Sequence, residues 1–360
     1  MQRTNLVKFV SLCIKNIGSK SQVDTVYTDL KAAFDTVNHS ILLSKLEKLG
    51  CTVRFCKWME SYLVHRELFV RIGNCNSAMF SNCSGVPQGS NLGPLLFSIF
   101  INDAALLLNS GGKMFFADDL KIFSVVRCHE DCKELQNLLN LFSDWCSRNS
   151  LLLSIEKCYV ISYHRTRNAV PYDYEMAGIK LKRVEQVKYL GVILDEKLSF
   201  KPQITATIDK ANRQLGFIFK IAREFTDPLC FKTLYCALVR STLEFASIVW
   251  WPYQAVWINR LESVQRKFVR YALRNLAWND PLNLPPYEDR CRLLGIKTLD
   301  QRRRVSQAVF VCKLVTAEFD APDLLEEIGF YAPSRTLNPE LCYRWDSNQH
   351  STLQTLQSHL

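Results

Sequence analysis

The chain has 360 residues, of which 48% are hydrophobic and 22% are charged. This balance is ordinary for a globular protein and excludes wholesale disorder. Gly and Pro number only 13 and 12, which excludes a collagen-like or proline-rich protein. No apolar run is long enough to cross a membrane, since the longest, residues 95–108, is short and contains Asn102 and Asp103. The N-terminus does not have the pattern of a secretory signal.

The 14 cysteines are scattered along the chain. The closest pairs, Cys128 with Cys132 and Cys51 with Cys56, do not have the C-x-x-C spacing of common zinc sites. We therefore predict reduced thiols in the core of an intracellular protein, nuclear or cytoplasmic, and no structural metal.

The net charge of +10 is not spread evenly along the chain. Residues 201–304 hold 18 basic and 9 acidic side chains, a net charge of +9. A basic segment of this kind predicts binding to a polyanion such as nucleic acid. The alternative is a solvated basic face.

In the first third of the chain, strand and helix patterns alternate. The predicted elements are a strand at 23–29, helices at 40–49 and 52–66, a hairpin of 68–72 with 78–80, a loop at 85–94, and an apolar helix that ends near residue 108. In the second of these helices we expect Trp58, Tyr62 and Leu63 to face inward.

The middle of the chain continues with strands and one long helix. The predicted elements are two short strands within 113–125 around a tight acidic turn, a helix at 130–148, a strand pair within 151–163 around Lys157, and a strand at 187–194. Beyond residue 199 the pattern is helical. Its clearest stretch steps by four and three residues through Trp257, Leu261, Val264, Phe268 and Tyr271.

Acidic residues stand where two strands are predicted to end. Asp29 closes the strand at 23–29, and Asp118 and Asp119 lie between apolar residues. Adjacent carboxylates in such surroundings are costly unless a cation compensates them. Three carboxylates offer oxygen ligands to Mg²⁺, and two such ions can stabilise both oxygens of a phosphoryl transfer. The residues alone leave open the alternative that these aspartates cap turns.

Five segments, in order and at fitting spacings, resemble motifs A to E of the reverse transcriptase of non-LTR retrotransposons, near the jockey type. They are VYTDLKAAFDTVNH (26–39), GVPQGSNLGPLLFSIFIND (85–103), FFADDL (115–120), WCSRNSLLLSIEKCYVISY (145–163) and VKYLGVILD (187–195). The stretch LVRSTLEFASIVWWP (238–252) and the helix after it resemble the thumb and post-thumb region of these elements.

The resemblance implies an α+β fold, in which a right-hand polymerase palm with an antiparallel sheet and packed helices precedes a mostly helical thumb region. It implies four parts: a remnant of the fingers region at 1–22, the palm with motifs A to E at 23–199, a basic helical thumb and post-thumb at 200–304, and a helical or partly irregular tail at 305–360. The implied activity is RNA-directed DNA polymerisation. In that reaction dNTPs extend a DNA primer on an RNA template, and two Mg²⁺ or Mn²⁺ ions assist. No membrane partner is expected. The oligomeric state is left open.

Carried over by position, the resemblance assigns catalysis and metal binding to three carboxylates, Asp29, Asp118 and Asp119. It assigns protonation of the leaving pyrophosphate to Lys157. It places around the incoming nucleotide Leu30 (through its backbone), Phe34, Gln88 and Gly89, with Gly85 and Gly89 allowing close backbone approach. The Phe34 ring would exclude a 2′-hydroxyl, with a core phenylalanine as the alternative. The primer end would rest on Tyr189, Leu190 and Gly191. Asp35 is expected to be structural.

The chain also departs from the family pattern. Lys31 and Ala32 look exchanged, and Ser154 stands where Asn is usual, although neither change removes a predicted ligand. Before motif A only RTNLVKF (3–9) resembles the fingers region. We therefore expect an N-terminally truncated fragment with low or no activity alone. The alternatives are a non-catalytic nucleic-acid-binding relic and an intron-encoded maturase, and the thumb-like segment favours the retrotransposon over the maturase.

Overall fold

The computed structural model describes residues 2–64, 66–108, 112–116, 119–166, 169–221, 228–276 and 284–328. The chain divides into two compact units. We call residues 19–185 the sheet unit, and residues 1–18 together with 186–360 the helical unit. The predicted ligand Asp118 and residues 329–360 of the predicted tail lie outside the described residues.

The strands are short outside the central sheet. They are β1 (Gln22–Thr28), β2 (Arg66–Leu68), β3 (Arg71–Ile72), β4 (Cys75–Asn76), β5 (Phe80–Asn82), β6 (Gly112–Phe116), β7 (Asp119–Val126), β8 (Tyr159–Tyr163), β9 (Glu175–Met176), β10 (Ile179–Lys180), β11 (Lys182–Arg183), β12 (Gln186–Tyr189) and β13 (Val192–Asp195).

Helices precede, separate and follow the strands along the chain. They are α1 (Gln2–Gly18), α2 (His39–Lys48), α3 (Val53–Leu63), α4 (Gly93–Leu107), α5 (His129–Arg148), α6 (Lys201–Ile221), α7 (Pro228–Leu234), α8 (Ser241–Glu244), α9 (Ser247–Trp250), α10 (Ala255–Leu276), α11 (Tyr287–Leu293), α12 (Leu299–Val315) and α13 (Pro322–Glu326). A π-helical stretch, Tyr235–Arg240, joins α7 to α8.

The sheet unit is built on a five-stranded sheet with the order β11-β8-β1-β7-β6. β1 lies at its centre, antiparallel to both β7 and β8, and every residue of β1 is buried. Its run of β-branched and aromatic side chains suits a central strand. Only the short edge strand β11 runs parallel to its neighbour. The predicted α+β class with an antiparallel sheet is confirmed.

Helices cover one face of this sheet. Val26, Ile122 and Val160 are cross-strand neighbours on β1, β7 and β8 and are buried in the main core. The helices α2, α4 and α5 contribute Leu42, Leu46, Phe97, Phe100, Leu135, Leu139 and Phe142 to the same core. The inward residues of α5 recur at helical spacing, as the sequence predicts.

A buried polar network ties the segment before β9 to β1. Asp24 is fully buried, and its two carboxylate oxygens accept hydrogen bonds of 2.7 Å from the Gln22 amide and from the Tyr174 hydroxyl. Gln22 in turn exchanges two hydrogen bonds with the backbone of Val170. The Asp24 charge therefore lies within the fold with both oxygens bonded.

Two details of the sheet unit differ from the sequence predictions. Trp58 is 55% exposed, because the buried side of α3 is formed by Cys56, Met59 and Leu63 and Trp58 lies opposite to it. The predicted strand pair within 151–163 is a single strand, β8. It is preceded by a 3-10 turn, Ile155–Lys157, and by an isolated bridge between Leu30 and Leu153.

The helical unit begins with the β12–β13 hairpin and α6. The predicted single strand at 187–194 is in fact this hairpin, because Leu190 and Gly191 both have positive φ angles and turn the chain. The predicted fingers remnant is mostly α1. In this unit α1 bonds to the α13 region, where Lys8 contacts Asp323 at 3.1 Å.

The long helix α10 organises the rest of the helical unit. Tyr235 stacks on Phe268 of α10 with the ring centroids 4.0 Å apart. The Glu262 carboxylate of α10 is buried, and it accepts hydrogen bonds from the Tyr287 hydroxyl at 2.5 Å and the Asp300 backbone N–H at 2.9 Å. These bonds join α10 to α11 and α12. In the part of the chain that the structure describes, no helix has the length and apolar character needed to cross a membrane.

Candidate active site

The register of the central sheet brings two predicted ligands together. Thr28 of β1 pairs with Leu120 of β7 in antiparallel register. Asp29 follows Thr28 and Asp119 precedes Leu120, so the two aspartates adjoin the last pair of this ladder and lie at the same end of the sheet.

The hydroxyl of Tyr159 is affected by the charges of Asp29 and Asp119. Tyr159 of β8 lies opposite Tyr27 of β1, and their rings stack with centroids 5.6 Å apart. Burial raises the pKa of the Tyr159 hydroxyl, and the negative charges of Asp119 and Asp29 raise it further. Both carboxylates therefore lie on the side of the sheet end near Tyr159.

A short turn of the chain holds Asp29 from the other side. This segment, residues 154–158, is referred to below as the 154–158 turn. The Ser154 backbone N–H donates to the Asp29 carbonyl oxygen at 2.8 Å, and the Asp29 backbone N–H donates to the Cys158 sulfur at 3.4 Å. Lys157 Nζ lies 3.5 Å from Asp29 Oδ2. The predicted catalytic lysine is thus paired with the predicted ligand, and its side chain is exposed.

Leu30 and Phe34, which follow Asp29 in motif A, are predicted to face the nucleotide. The Leu30 side chain is buried in the core, so only its backbone is available, and that backbone bridges to Leu153. The Phe34 ring is partly buried and stacks on Phe97 with the centroids 4.4 Å apart. Phe34 is therefore supported from one side by α4, an arrangement that a rigid gate requires but that a core residue also shares.

The loop of motif B lies directly against the chain after Phe34. The Val86 N–H donates to the Phe34 carbonyl oxygen at 2.8 Å. Gly85 has a φ of +81°, and a Cβ there would come within 2.6–2.8 Å of the Asp35 backbone. The side-chain amide of Gln88 donates to Asp35 Oδ1 at 2.8 Å. Asp35, expected to be structural, therefore orients a residue predicted to contact the nucleotide, which the spacing of the motifs did not reveal.

Gly89 has a different reason to be glycine. Its φ is +76°, but a Cβ at this position would meet no heavy atom within 4 Å. The backbone conformation, and not the space, therefore favours glycine at the predicted nucleotide contact.

The predicted primer grip is the turn of the β12–β13 hairpin in the helical unit. Tyr189 is buried, and its hydroxyl donates to Asn5 of α1 at 3.5 Å. A Cβ on Gly191 would lie 2.9 Å from the Phe245 ring, so this turn packs closely on the segment between α8 and α9. Leu190, at the tip with a φ of 45°, is partly exposed.

The basic charge of the helical unit is gathered on the solvent side of α10. Arg260, Arg266, Lys267 and Arg270 are all exposed, while Leu261, Val264 and Phe268 on the opposite side are buried. Within the described residues none of these four cations forms an ion pair. Exposed cations at this spacing form a continuous positive strip along one side of the helix.

The oxygen donors at this end of the sheet suit a hard divalent cation. Asp29 and Asp119 offer carboxylate oxygens from two adjacent strands, and oxygen ligands are those that Mg²⁺ and Mn²⁺ prefer. The described residues contain no group of three His, Cys, Asp or Glu side chains arranged to hold a metal. Asp118, predicted as the third carboxylate, is outside those residues.

Comparison with known proteins identifies the class. Residues 5–194 match the family model described as reverse transcriptase (RNA-dependent DNA polymerase), and this match covers more than half of the chain. The chain therefore belongs to the reverse transcriptase family, and the resemblance found in the motifs is confirmed.

Two relatives are RNA-directed DNA polymerases of mobile elements. The probable RNA-directed DNA polymerase from transposon BS of Drosophila melanogaster is 29% identical over 305 residues, covering 79% of this chain and 33% of the relative. The RNA-directed DNA polymerase from mobile element jockey of Drosophila funebris is 30% identical over 209 residues, covering 56% of this chain and 23% of the relative. The chain thus spans a third or less of the length of these two relatives.

One solved structure among those that match is the telomerase from Candida albicans in complex with a TWJ fragment of telomeric RNA. It is 12% identical, with a TM-score of 0.42 over 83% of this chain and 58% of that one.

Proposed function

We propose that this chain carries the polymerase site of a non-LTR retrotransposon, and that it transfers dNTPs onto a DNA primer 3′ end opposite an RNA template. The observation that carries the proposal is the pairing of β1 with β7, which brings Asp29 and Asp119 to the same end of the sheet, with Lys157 beside Asp29. Membership of the reverse transcriptase family supports the reaction type. The known relatives are retrotransposon polymerases, which favours this origin over an intron-encoded maturase.

In this proposal Asp29, Asp118 and Asp119 hold two Mg²⁺ or Mn²⁺ ions. When bound, the ions would neutralise phosphate charge and stabilise the attacking and leaving oxygens. The Asp29 backbone is held by hydrogen bonds on both sides, which fixes the point from which its carboxylate reaches the cation. Lys157 keeps an ammonium group at the same edge, from which it can give a proton to the pyrophosphate.

The nucleotide would lie against two loops that are bonded to each other. The Phe34 ring, stacked on Phe97, would meet the sugar and exclude a 2′-hydroxyl. Gln88, held by Asp35, would face the nucleotide and the template base, with Gly89 beside it. The Leu30 backbone would complete this wall. The Tyr189–Gly191 turn is proposed to support the primer end.

We propose that the positive strip of α10 binds the phosphate backbone of the template–primer duplex. Arginine and lysine side chains there can contact phosphates without reading the sequence. An RNA·DNA hybrid would be accepted through its A-like shape. The strip also favours the second candidate function, a nucleic-acid-binding protein without catalysis.

Primer extension on poly(rA)/oligo(dT) with Mg²⁺ separates the two candidates. We expect Asp118→Asn to abolish any extension by the 360-residue chain without loss of the fold. Extension by Asp118→Asn at the parent's rate would show that the site is assigned wrongly. Tight template–primer binding by the parent, with no extension in Mg²⁺ or Mn²⁺, would favour the binding function.

A fusion tests whether a segment that precedes the matched region in a relative raises the rate. The segment that precedes the matched region in the transposon BS relative would be joined to residue 1. We expect dNTP affinity and rate to rise together, because a triphosphate misplaced by about 1 Å can slow the reaction roughly a hundredfold. Equal rates for the fusion and the 360-residue chain would show that the chain suffices.

A further inference from the structure

The 154–158 turn contacts Asp29 at three separate points. The Ser154 N–H bonds to its carbonyl oxygen, the Cys158 sulfur accepts from its N–H, and the Lys157 ammonium approaches its carboxylate. Asp29 is the first residue after β1 ends, so its backbone groups are beyond the ladder that satisfies the rest of the strand. The turn provides partners for both of them.

The turn is itself closed by internal bonds. The Lys157 N–H donates to the Ser154 carbonyl oxygen at 2.8 Å, and the Cys158 N–H donates to the Ile155 carbonyl oxygen at 3.0 Å. The Cys158 thiol donates to the Ser154 carbonyl oxygen at 3.4 Å. Cys158 is only 2% exposed and belongs to the main core. The sulfur atom is therefore held in place from several directions while it accepts from Asp29.

We propose that Cys158 is a positioning residue for Asp29: its sulfur fixes the Asp29 peptide at the end of β1 and thereby the direction of the carboxylate toward its cation. The proposal rests on the proposed role of Asp29 as a metal ligand. Sulfur is a weak acceptor, but the Asp29 N–H is partly buried and the Cys158 sulfur is the partner that it has in the fold. Partners that orient a metal ligand typically account for roughly 10- to 100-fold in metal affinity or activity.

The chain offers a matched control for this thiol. Cys146 of α5 is 1% exposed and lies in the same core as Cys158. Both thiols are buried, but the Asp29 N–H bonds to Cys158. Cys146→Ala therefore removes a comparable volume from the core and leaves the contact with Asp29 in place.

The test uses the full 360-residue chain with template–primer and follows Mn²⁺ binding by electron paramagnetic resonance. We expect Cys158→Ala to weaken Mn²⁺ binding about 10-fold. Cys158→Ser, whose hydroxyl oxygen can accept the same hydrogen bond, should recover most of that loss. Cys146→Ala should bind Mn²⁺ like the parent. Without metal, hydrogen exchange of the Asp29 amide should speed up in Cys158→Ala and not in Cys146→Ala.

The outcomes separate this proposal from the one on which it rests. Equal Mn²⁺ affinity and equal Asp29 exchange in Cys158→Ala and Cys146→Ala would overturn the positioning role. If Cys158→Ala does not fold, Cys158→Val, which fills the volume without a hydrogen-bond acceptor, decides: faster Asp29 exchange with weaker Mn²⁺ binding supports the role, and parental Mn²⁺ affinity or unchanged exchange overturns it. Undiminished Mn²⁺ binding by Asp29→Asn would instead refute the metal-ligand assignment, whatever the cysteine variants show.

Discussion

Asp24, within β1, and Asp29, just after it, are held by different groups: Asp24 by its side chain and Asp29 by its backbone. Asp24, inside the strand, is fully buried, and both of its carboxylate oxygens accept hydrogen bonds from the protein. Asp29, just beyond the strand, is bonded through its backbone, and its side chain remains 35% exposed beside Lys157. The difference separates a carboxylate whose hydrogen bonds are made within the fold from one whose oxygens remain accessible.

The largest expected effect is at Asp29. Asp29→Asn should lower primer extension about a thousandfold or more, a loss of roughly 4 kcal/mol of transition-state stabilisation, because a neutral amide is a poor ligand for Mg²⁺. Its unfolding free energy should change by about 0.5 kcal/mol or less, since the side chain is accessible. Single-turnover extension and urea unfolding measure the two quantities. A stability loss with unchanged extension would reverse the roles assigned to the two aspartates.

The complementary change is at Asp24. In Asp24→Asn the new NH₂ group faces donors from Gln22 and Tyr174, so at least one bond to a charged acceptor is lost. We expect the unfolding free energy to fall by about 2–3 kcal/mol. Metal affinity of the folded fraction should stay at the parent's value. Parental stability in urea would mean that this network contributes nothing to the fold.

The pattern of residues predicts the elements around the site better than the contacts within it. The strand at 23–29, the acidic hairpin and the apolar face of α5 follow from alternation and helical spacing, which depend on each segment alone. The hydrogen bonds of Asp29 to Cys158 and of Asp35 to Gln88 join residues 129 and 53 positions apart. No periodicity encodes such pairs, because they depend on how strands and loops pack. Trp58 was placed wrongly for the same reason.

A smaller effect is expected at Phe34, where the comparison is between an accessible ring edge and a buried partner. Phe34→Val should raise incorporation of ribonucleotides relative to deoxyribonucleotides about tenfold or more, because the ring no longer meets the 2′-hydroxyl. Competitive incorporation of rNTP and dNTP measures the ratio. Phe97→Leu should change the ratio less than Phe34→Val, since it removes the support of the ring but leaves the ring itself. Unchanged discrimination in Phe34→Val that still polymerises would assign Phe34 to the core.

The smallest effects concern single cations of the helical unit. Replacing Arg266 or Arg270 by Gln should weaken template–primer binding a few-fold and lower the slope of log K against log salt by about 0.9. Arg304→Gln is the control, because that cation is engaged by Asp300 at 2.9 Å. Fluorescence anisotropy between about 50 and 200 mM salt gives the slopes. Affinity that does not depend on salt would exclude phosphate contacts by the strip.

The bond between Asp29 and Cys158 also has a consequence for the order of folding. The β6 and β7 hairpin is local and closes a short loop, whereas β1 can pair with β8 only after more than a hundred intervening residues have been brought together. Closing such a loop costs conformational entropy before its contacts form, so non-local pairings are slow. The acidic hairpin can therefore form early, while Asp29 reaches its final geometry only when the sheet is complete. A partly folded chain of this protein would expose carboxylates without an ordered site.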